Sequence, residues 1–203
     1  MANLKLPYFE IKRKILHILS GIIGLLLIVY NILTPKIIFL LLILGIILSI
    51  ICIKIKIPIA SYFLKNFERK KDIKTLPGRA LIFATAGSLL VLKLFPRNIA
   101  LASITILIFA DPISHLIGKI FGKTKSLLDN RKNIEGHIAG ALISSLIALF
   151  FVPFYLAFPG ALVSMIFELL IIKIQEIEID DNLIIPLTAG TIMFLIIRLL
   201  TFF

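Results

Sequence analysis

The chain is short of the residues that suit a protein to water. Only 16% of its 203 residues are charged, where soluble domains carry roughly 25%. Acids number eleven and histidines three. Cysteine occurs once, at Cys52, so no intrachain disulfide can form and the redox compartment stays open. No internal repeat or low-complexity stretch is present, apart from a heavy bias to Ile and Leu. This composition excludes a secreted disulfide scaffold, a disordered tail and an ordinary cytosolic enzyme.

What the chain has in abundance is apolar sequence: 60% of residues, with a mean hydropathy of +1.09. Apolar runs fall at 15–33, 37–53, 78–95, 98–118, 136–157, 160–174 and 183–203. At roughly 20 residues per crossing, that predicts about seven spans. The expected fold is all-α: a polytopic membrane helix bundle forming one domain over residues 1–203. Residues 1–14 are basic, but no small-x-small site ends the first apolar run, so an uncleaved first span is expected.

The net charge of +11 needs an explanation: nucleic acid, anionic lipid and a phosphate-rich substrate all fit it. Placing the N-terminus in the cytoplasm divides Lys and Arg 18 to 4 in favour of the cytoplasmic side, with Lys36, Lys93, Arg97 and Arg198 opposite. All eleven Asp and Glu fall on the cytoplasmic side as well. Bases alone are a topology signal, whereas acids and bases together on one face mark a site. The lysine-rich stretch 54–79 also suits anionic lipid.

Three clusters carry candidate chemistry. In the first, EIKRKILH, residues Glu10, Arg13, Lys14 and His17 share one helical face. A juxtamembrane basic flank explains the first three but not His17, which lies inside an apolar run where polar groups are costly. The second covers 110–140. Asp111 sits before the cytoplasmic end of the fourth span, Pro112 favours a local break, and His115 and Gly118 follow on the same face. Gly118, Lys119, Gly122 and Lys123 form a glycine-spaced basic turn, in which glycines allow backbone N–H groups to approach phosphate and lysines supply countercharge. GKIFGKT is one residue short of the Walker A spacing and joins two spans, so a P-loop is rejected. Lys132, Asn133, Glu135 and Gly136 then lead into the fifth span, whose N-terminus suits an anion. In the third cluster Glu168 lies within the sixth span, and Asp180, Asp181 and Asn182 precede the last. That triplet suits oxygen-ligand Mg²⁺ and equally suits an N-cap from Asp181 or Asn182.

Together the clusters provide a phosphate clamp, carboxylates for Mg²⁺, and buried acids to orient a hydroxyl, as phosphoryl or nucleotidyl transfer requires. At these positions the chain resembles the integral-membrane, CTP-dependent lipid kinases: dolichol kinase, phytol kinase and the CTP-dependent diacylglycerol kinase. The family pattern E-x-x-R-K-x-x-H appears as EIKRKILH, its Asp-Pro segment leading to G-K-x-F-G-K as ADPISHLIGKIFGK, and its K-[ST]-x-E-G as KNIEG. Its acid followed by D-D-N and Pro appears as Glu168 and DDNLIIP. The motifs run in order over residues 10–190. Asn133 stands where the pattern has Ser or Thr, and His115 where a small or acidic residue is usual. The resemblance implies CTP as donor and puts Arg13, Lys14, Asp111 and Gly118 in the catalytic or nucleotide-binding set.

The expectation is therefore a kinase moving the γ-phosphoryl of CTP to the hydroxyl of a polyprenol, another isoprenoid alcohol or diacylglycerol. Asp111, Glu135, Glu168 and His17 are its candidate catalytic residues. Arg13, Lys14, Gly118, Lys119, Gly122, Lys123, Lys132 and Gly136 are expected to hold CTP, and Asp111, Asp180, Asp181 and Asn182 to hold Mg²⁺ or another divalent cation. The expected partners are CTP, a lipid alcohol and the bilayer, with no nucleic acid. The alternatives are a CTP:phosphatidate-type cytidylyltransferase and a transporter. The latter is disfavoured because the acids hug one face and no inverted repeat is visible.

Overall fold

A computed structural model describes residues 8–55, 57–126, 132–170, 173–174 and 177–202. Lys5, Lys56 and Arg131, counted above for topology, lie outside the described residues. Seven of its helices match the predicted runs: α1 (Tyr8–Val29), α2 (Pro35–Lys54), α5 (Arg79–Leu94), α6 (Arg97–Phe121), α7 (Ile134–Ala148), α8 (Phe154–Leu169) and α9 (Asp181–Phe202). Two short helices, α3 (Pro58–Phe67) and α4 (Lys70–Thr75), occupy the stretch that the hydropathy reading treats as a loop. The rest of the regular structure is a two-stranded antiparallel pair, β1 (Lys173–Ile174) and β2 (Ile177–Glu178).

The helix boundaries follow local chemistry. Thr34 caps α2 through a hydrogen bond from the Ile37 amide at 3.4 Å, and Pro35 fills the first turn, where no N–H is needed. Three prolines sit inside helices, Pro112 in α6, Pro159 in α8 and Pro186 in α9. The break expected at Pro112 is absent, because α6 runs on through its buried ring to Phe121. The sixth predicted run likewise begins earlier than expected, with Pro153 as N-cap and Pro159 within the helix.

Helix α6 is the hub. Its most apolar stretch is 72% buried, against 11% for α2, so α6 is central and α2 peripheral. It packs on α7, α9, α1, α5 and α8. Helices α6 and α7 run antiparallel at close range through small residues. A Cβ on Gly136 would meet the Ser114 carbonyl oxygen and lie 2.8 Å from Gly118 Cα; one on Gly140 would lie 2.7 Å from the Ala110 oxygen. Among the described residues three helices, α2, α6 and α9, are long and apolar enough to cross a membrane. Leu40, Leu44, Ile47 and Ile50 on α2 are exposed, as suits a helix facing hydrocarbon.

Antiparallel neighbours sort the helix ends onto two poles. The N-terminal ends of α1, α5, α7 and α9 meet the C-terminal ends of α6 and α8 at one pole, through Lys14–Asp111, Arg79–Asp180 and Lys132–Glu168. At the other pole Arg97, in the first turn of α6, donates to the carbonyl oxygens of Ile28 (3.4 Å) and Val29 (2.8 Å) at the end of α1.

Candidate active site

A cavity of about 1100 Å³ opens at the charged pole. The first cluster enters it from α1. Lys14 is 5% exposed, and its ammonium donates to both carboxylate oxygens of Asp111, at 2.8 and 2.6 Å. Helix periodicity supplies this pair: Lys14 faces α6, where Asp111 is presented one turn below Ser114. Its neighbour Arg13 pairs with Glu10, one turn earlier on α1, at 3.1 Å. Glu10 also lies 3.7 Å from Arg69 and 4.0 Å from His115 Nε2. Arg13, Lys14, His17, Asp111, Gly118 and Lys119 all line the cavity.

The third cluster forms the facing wall. Lys132 donates to the backbone oxygen of Glu168, and its ammonium lies 3.3 Å from Glu168 Oε1 and 3.5 Å from Asp181 Oδ2. Burial works against its charge, but Glu168 and Asp181 outweigh that and hold its pKa above the usual lysine value. Glu168 is 4% exposed, and its Oε2 has no hydrogen-bond partner among the described residues. Asn182 Oδ1 is likewise buried without one. Asp180 caps α9, accepting from the backbone N–H of Asn182 at 3.1 Å and its side-chain amide at 2.7 Å, while Arg79 donates to it at 2.9 Å. The cap is thus Asp180, one residue before the two the sequence suggests. All five of these residues predicted here, Lys132, Glu168, Asp180, Asp181 and Asn182, line the same cavity as the first cluster.

Four predicted residues are not in the cavity wall. Glu135 accepts from the backbone N–H groups of Lys123 (3.1 Å) and Thr124 (2.8 Å), so its carboxylate fastens the loop joining α6 to α7. Gly122 donates its N–H to the Gly118 oxygen at 3.1 Å, and Gly136 lies in the α6–α7 contact. Lys123 is exposed beyond the rim. The glycine spacing serves close helix approach and a tight end to α6. Asn133 completes that end by donating from its side-chain amide to the Gly118 oxygen.

The expected metal set does not assemble as a cage. Asp111 is closed by Lys14, and Asp180 by Arg79 and Asn182. Among the described residues no three His, Cys, Asp or Glu side chains converge to hold an ion. What remains is Asp181 beside the unpartnered oxygens of Glu168 and Asn182. These hard oxygen donors suit Mg²⁺ only when substrate phosphates supply most of its coordination.

The structure adds residues that the sequence reading passed over. His137 is 7% exposed; its Nδ1 lies 2.9 Å from the Asn133 carbonyl oxygen and its Nε2 3.6 Å from Glu168 Oε1. Arg79 joins through Asp180. The rarity of histidine was the available signal, since His17, His115 and His137, the whole histidine content, line one cavity.

No family model matches the chain, and no solved structure matches it. It is similar to an uncharacterized protein of Methanocaldococcus jannaschii, 31% identical over 189 residues that cover 91% of this chain and 92% of the relative. An uncharacterized protein of Rickettsia prowazekii is also 31% identical over 189 residues, covering 89% of this chain and 91% of the relative. At that identity over nearly the full length of each, the chain belongs to the same family as these two proteins.

Proposed function

We propose that the protein is a multi-pass membrane enzyme, with its N-terminus and active site on the cytoplasmic side, that transfers the γ-phosphoryl group of CTP to the hydroxyl of a membrane lipid alcohol. One observation carries the reading. Charged residues from α1, α4, α5, α6, the α6–α7 loop, α8 and α9, far apart in sequence, converge on one pole of a cavity whose remaining walls are mainly apolar. A lipid with a reactive head and a water-soluble polyanion meet where two such surfaces join. The motif resemblance to the CTP-dependent lipid kinases supplies the nucleotide and the class of acceptor.

In this reading Arg13, Lys14, Lys119 and Lys132 hold the phosphates, and Asp111 fixes the Lys14 ammonium in place. The Glu168 carboxylate, with His137 beside it, accepts the proton of the lipid hydroxyl. The bond from the γ-phosphorus to its bridging oxygen breaks, a bond from phosphorus to the alcohol oxygen forms, and CDP leaves. Asp181 and the free oxygen of Asn182 would hold Mg²⁺ arriving with the nucleotide, which would supply neutralisation of phosphate charge.

The test uses purified protein in nanodiscs with CTP labelled at either the γ- or the α-phosphate, against polyprenols, phytol, geranylgeraniol, diacylglycerol and phosphatidate. Label from the γ-position should enter an alcohol. Incorporation from the α-position into phosphatidate would replace the kinase by a cytidylyltransferase, and incorporation from neither would sink both.

A further inference from the structure

The cavity does not stop at the charged pole. Its lining continues along α1 through Gly24 and Ile28 and along α2 through Ser49, Gly45 and Ile38, with α5 and α6 behind. At 1.5 Å rise per residue, the stretch from His17 to Ile28 is ~16 Å long. That is roughly half of the ~30 Å hydrocarbon core, the depth of one leaflet. Helix α1 rests on α6 and α2 on α5, with no extended contact between α1 and α2 themselves. The arm ends where Ile28, Ile38 and Ile104 are buried together.

Glycines on these two helices fall into two kinds. A Cβ on Gly21 would press against Ile108 at 2.6 Å, so that glycine serves the α1–α6 contact. A Cβ on Gly24 would meet nothing within 4 Å, and one on Gly45 only Ile82 Cγ1 at 3.9 Å. Neither is required by packing or by a left-handed backbone, although glycine is a poor helix former. What both preserve is open space inside the arm.

We infer that the arm between α1 and α2 holds the hydrocarbon tail of a single-chain lipid alcohol whose head lies at the charged pole, and that Gly24 and Gly45 determine how long a tail it admits. The inference rests on the lipid-modifying reading of the site for its head group. The occupant is a tail rather than a protein helix because the arm is continuous with the polar chamber, so one amphiphile fills both. A side chain at Gly24 shortens the arm without disturbing a contact.

Photolabelling in nanodiscs tests this without requiring catalysis. Two primary alcohols carrying a diazirine near the tail end are used, one of membrane-lipid length and one short. The long probe should label arm residues such as Leu25 and Leu42, which line the cavity. Gly24→Leu should cut that labelling roughly tenfold by denying burial to a few methylenes, leaving the short probe and the unfolding temperature unchanged. Gly45→Leu should do the same from the opposite wall, and serves if the first variant does not fold. Labelling confined to the outward-facing Ile23 and Leu26, or equal in wild type and both variants, would overturn the inference. Labelling of the arm by a protein that transfers no phosphate would keep the arm and remove the kinase. Phosphorylation with unaltered chain-length preference in both variants would do the reverse.

Discussion

At the scale of the residue, the Lys14–Asp111 pair is the most exacting feature of the molecule. Two opposite charges, removed from water, are held 2.6 Å apart. Removing one partner of such a pair strands the other, so Lys14→Met should cost ~3–5 kcal/mol in stability. The double variant with Asp111→Asn should recover part of that, as a double-variant unfolding cycle in detergent will measure. Activity should separate from stability: with Lys14 gone the proposed phosphate clamp loses a buried cation, and the proposed CTP-dependent transfer should fall roughly a hundredfold or more. Full transfer by either single variant would remove the pair from the mechanism. Asp111 was legible in the sequence, because a charge inside an apolar run is expensive enough to need a reason; Lys14, just before the first run, stood out only by sharing a helical face with His17 and by the motif it belongs to. Glu135 was legible as unusual but not in its role. Its partners are backbone N–H groups of Lys123 and Thr124, and no residue type in the sequence announces them. His137 was missed for a related reason: its partner Glu168 comes from another helix, and pairing between helices is set by packing geometry.

At the scale of the element, α3 and α4 form a charged cover beside the polar chamber. Glu68, at the junction between them, is pushed up to about 7 by burial and by the neighbouring Asp72, despite the opposing charges of Arg13 and Arg69; Asp180 adds to the rise. An acid whose pKa is raised in the folded state stabilises that state below its ordinary value of 4.5, and the contribution is lost as pH rises through about 7. Hydrogen exchange across 58–75 should therefore speed up over that window beyond the intrinsic rate, and Glu68→Gln should flatten the response. The α6–α7 contact makes a second prediction. Gly136→Ala should destabilise the protein by roughly 1–3 kcal/mol or more through overpacking, whereas Gly24→Ala, free of any clash and a better helix former, should unfold at the same or a slightly higher temperature. Although among the described residues only α2, α6 and α9 are both long and apolar enough to cross a membrane, the seven helices on the apolar runs were readable from hydropathy. The two short ones were not, because ten and six residues with interspersed charges give no hydropathy signal. Proline misled at Pro112, where burial in the bundle overrides the local loss of a hydrogen bond.

At the scale of the whole molecule, the net charge of +11 resolves into two poles. Among the described residues, acids gather where α1, α5, α7 and α9 begin, while Lys36, Lys93 and Arg97 lie at the opposite ends of α2, α5 and α6. The proposed orientation follows from that distribution and can be checked in a Cys52→Ser background. An impermeant maleimide should label Lys36→Cys in intact cells and Lys71→Cys only after the membrane is opened. The reverse pattern would turn the protein over and place the charged chamber away from cytosolic nucleotide.

The chamber has its ion pairs at one pole, and at the other the Arg97 cap and the cluster of Ile28, Ile38 and Ile104 close the end of the arm. Closed at that far pole, the chamber has no route through from one side to the other. In the proposed arrangement, a lipid that enters sideways between α1 and α2 must depart by the same door, with its head still toward the same compartment. The molecule would change the chemistry of a lipid in one leaflet and leave the asymmetry of the bilayer untouched.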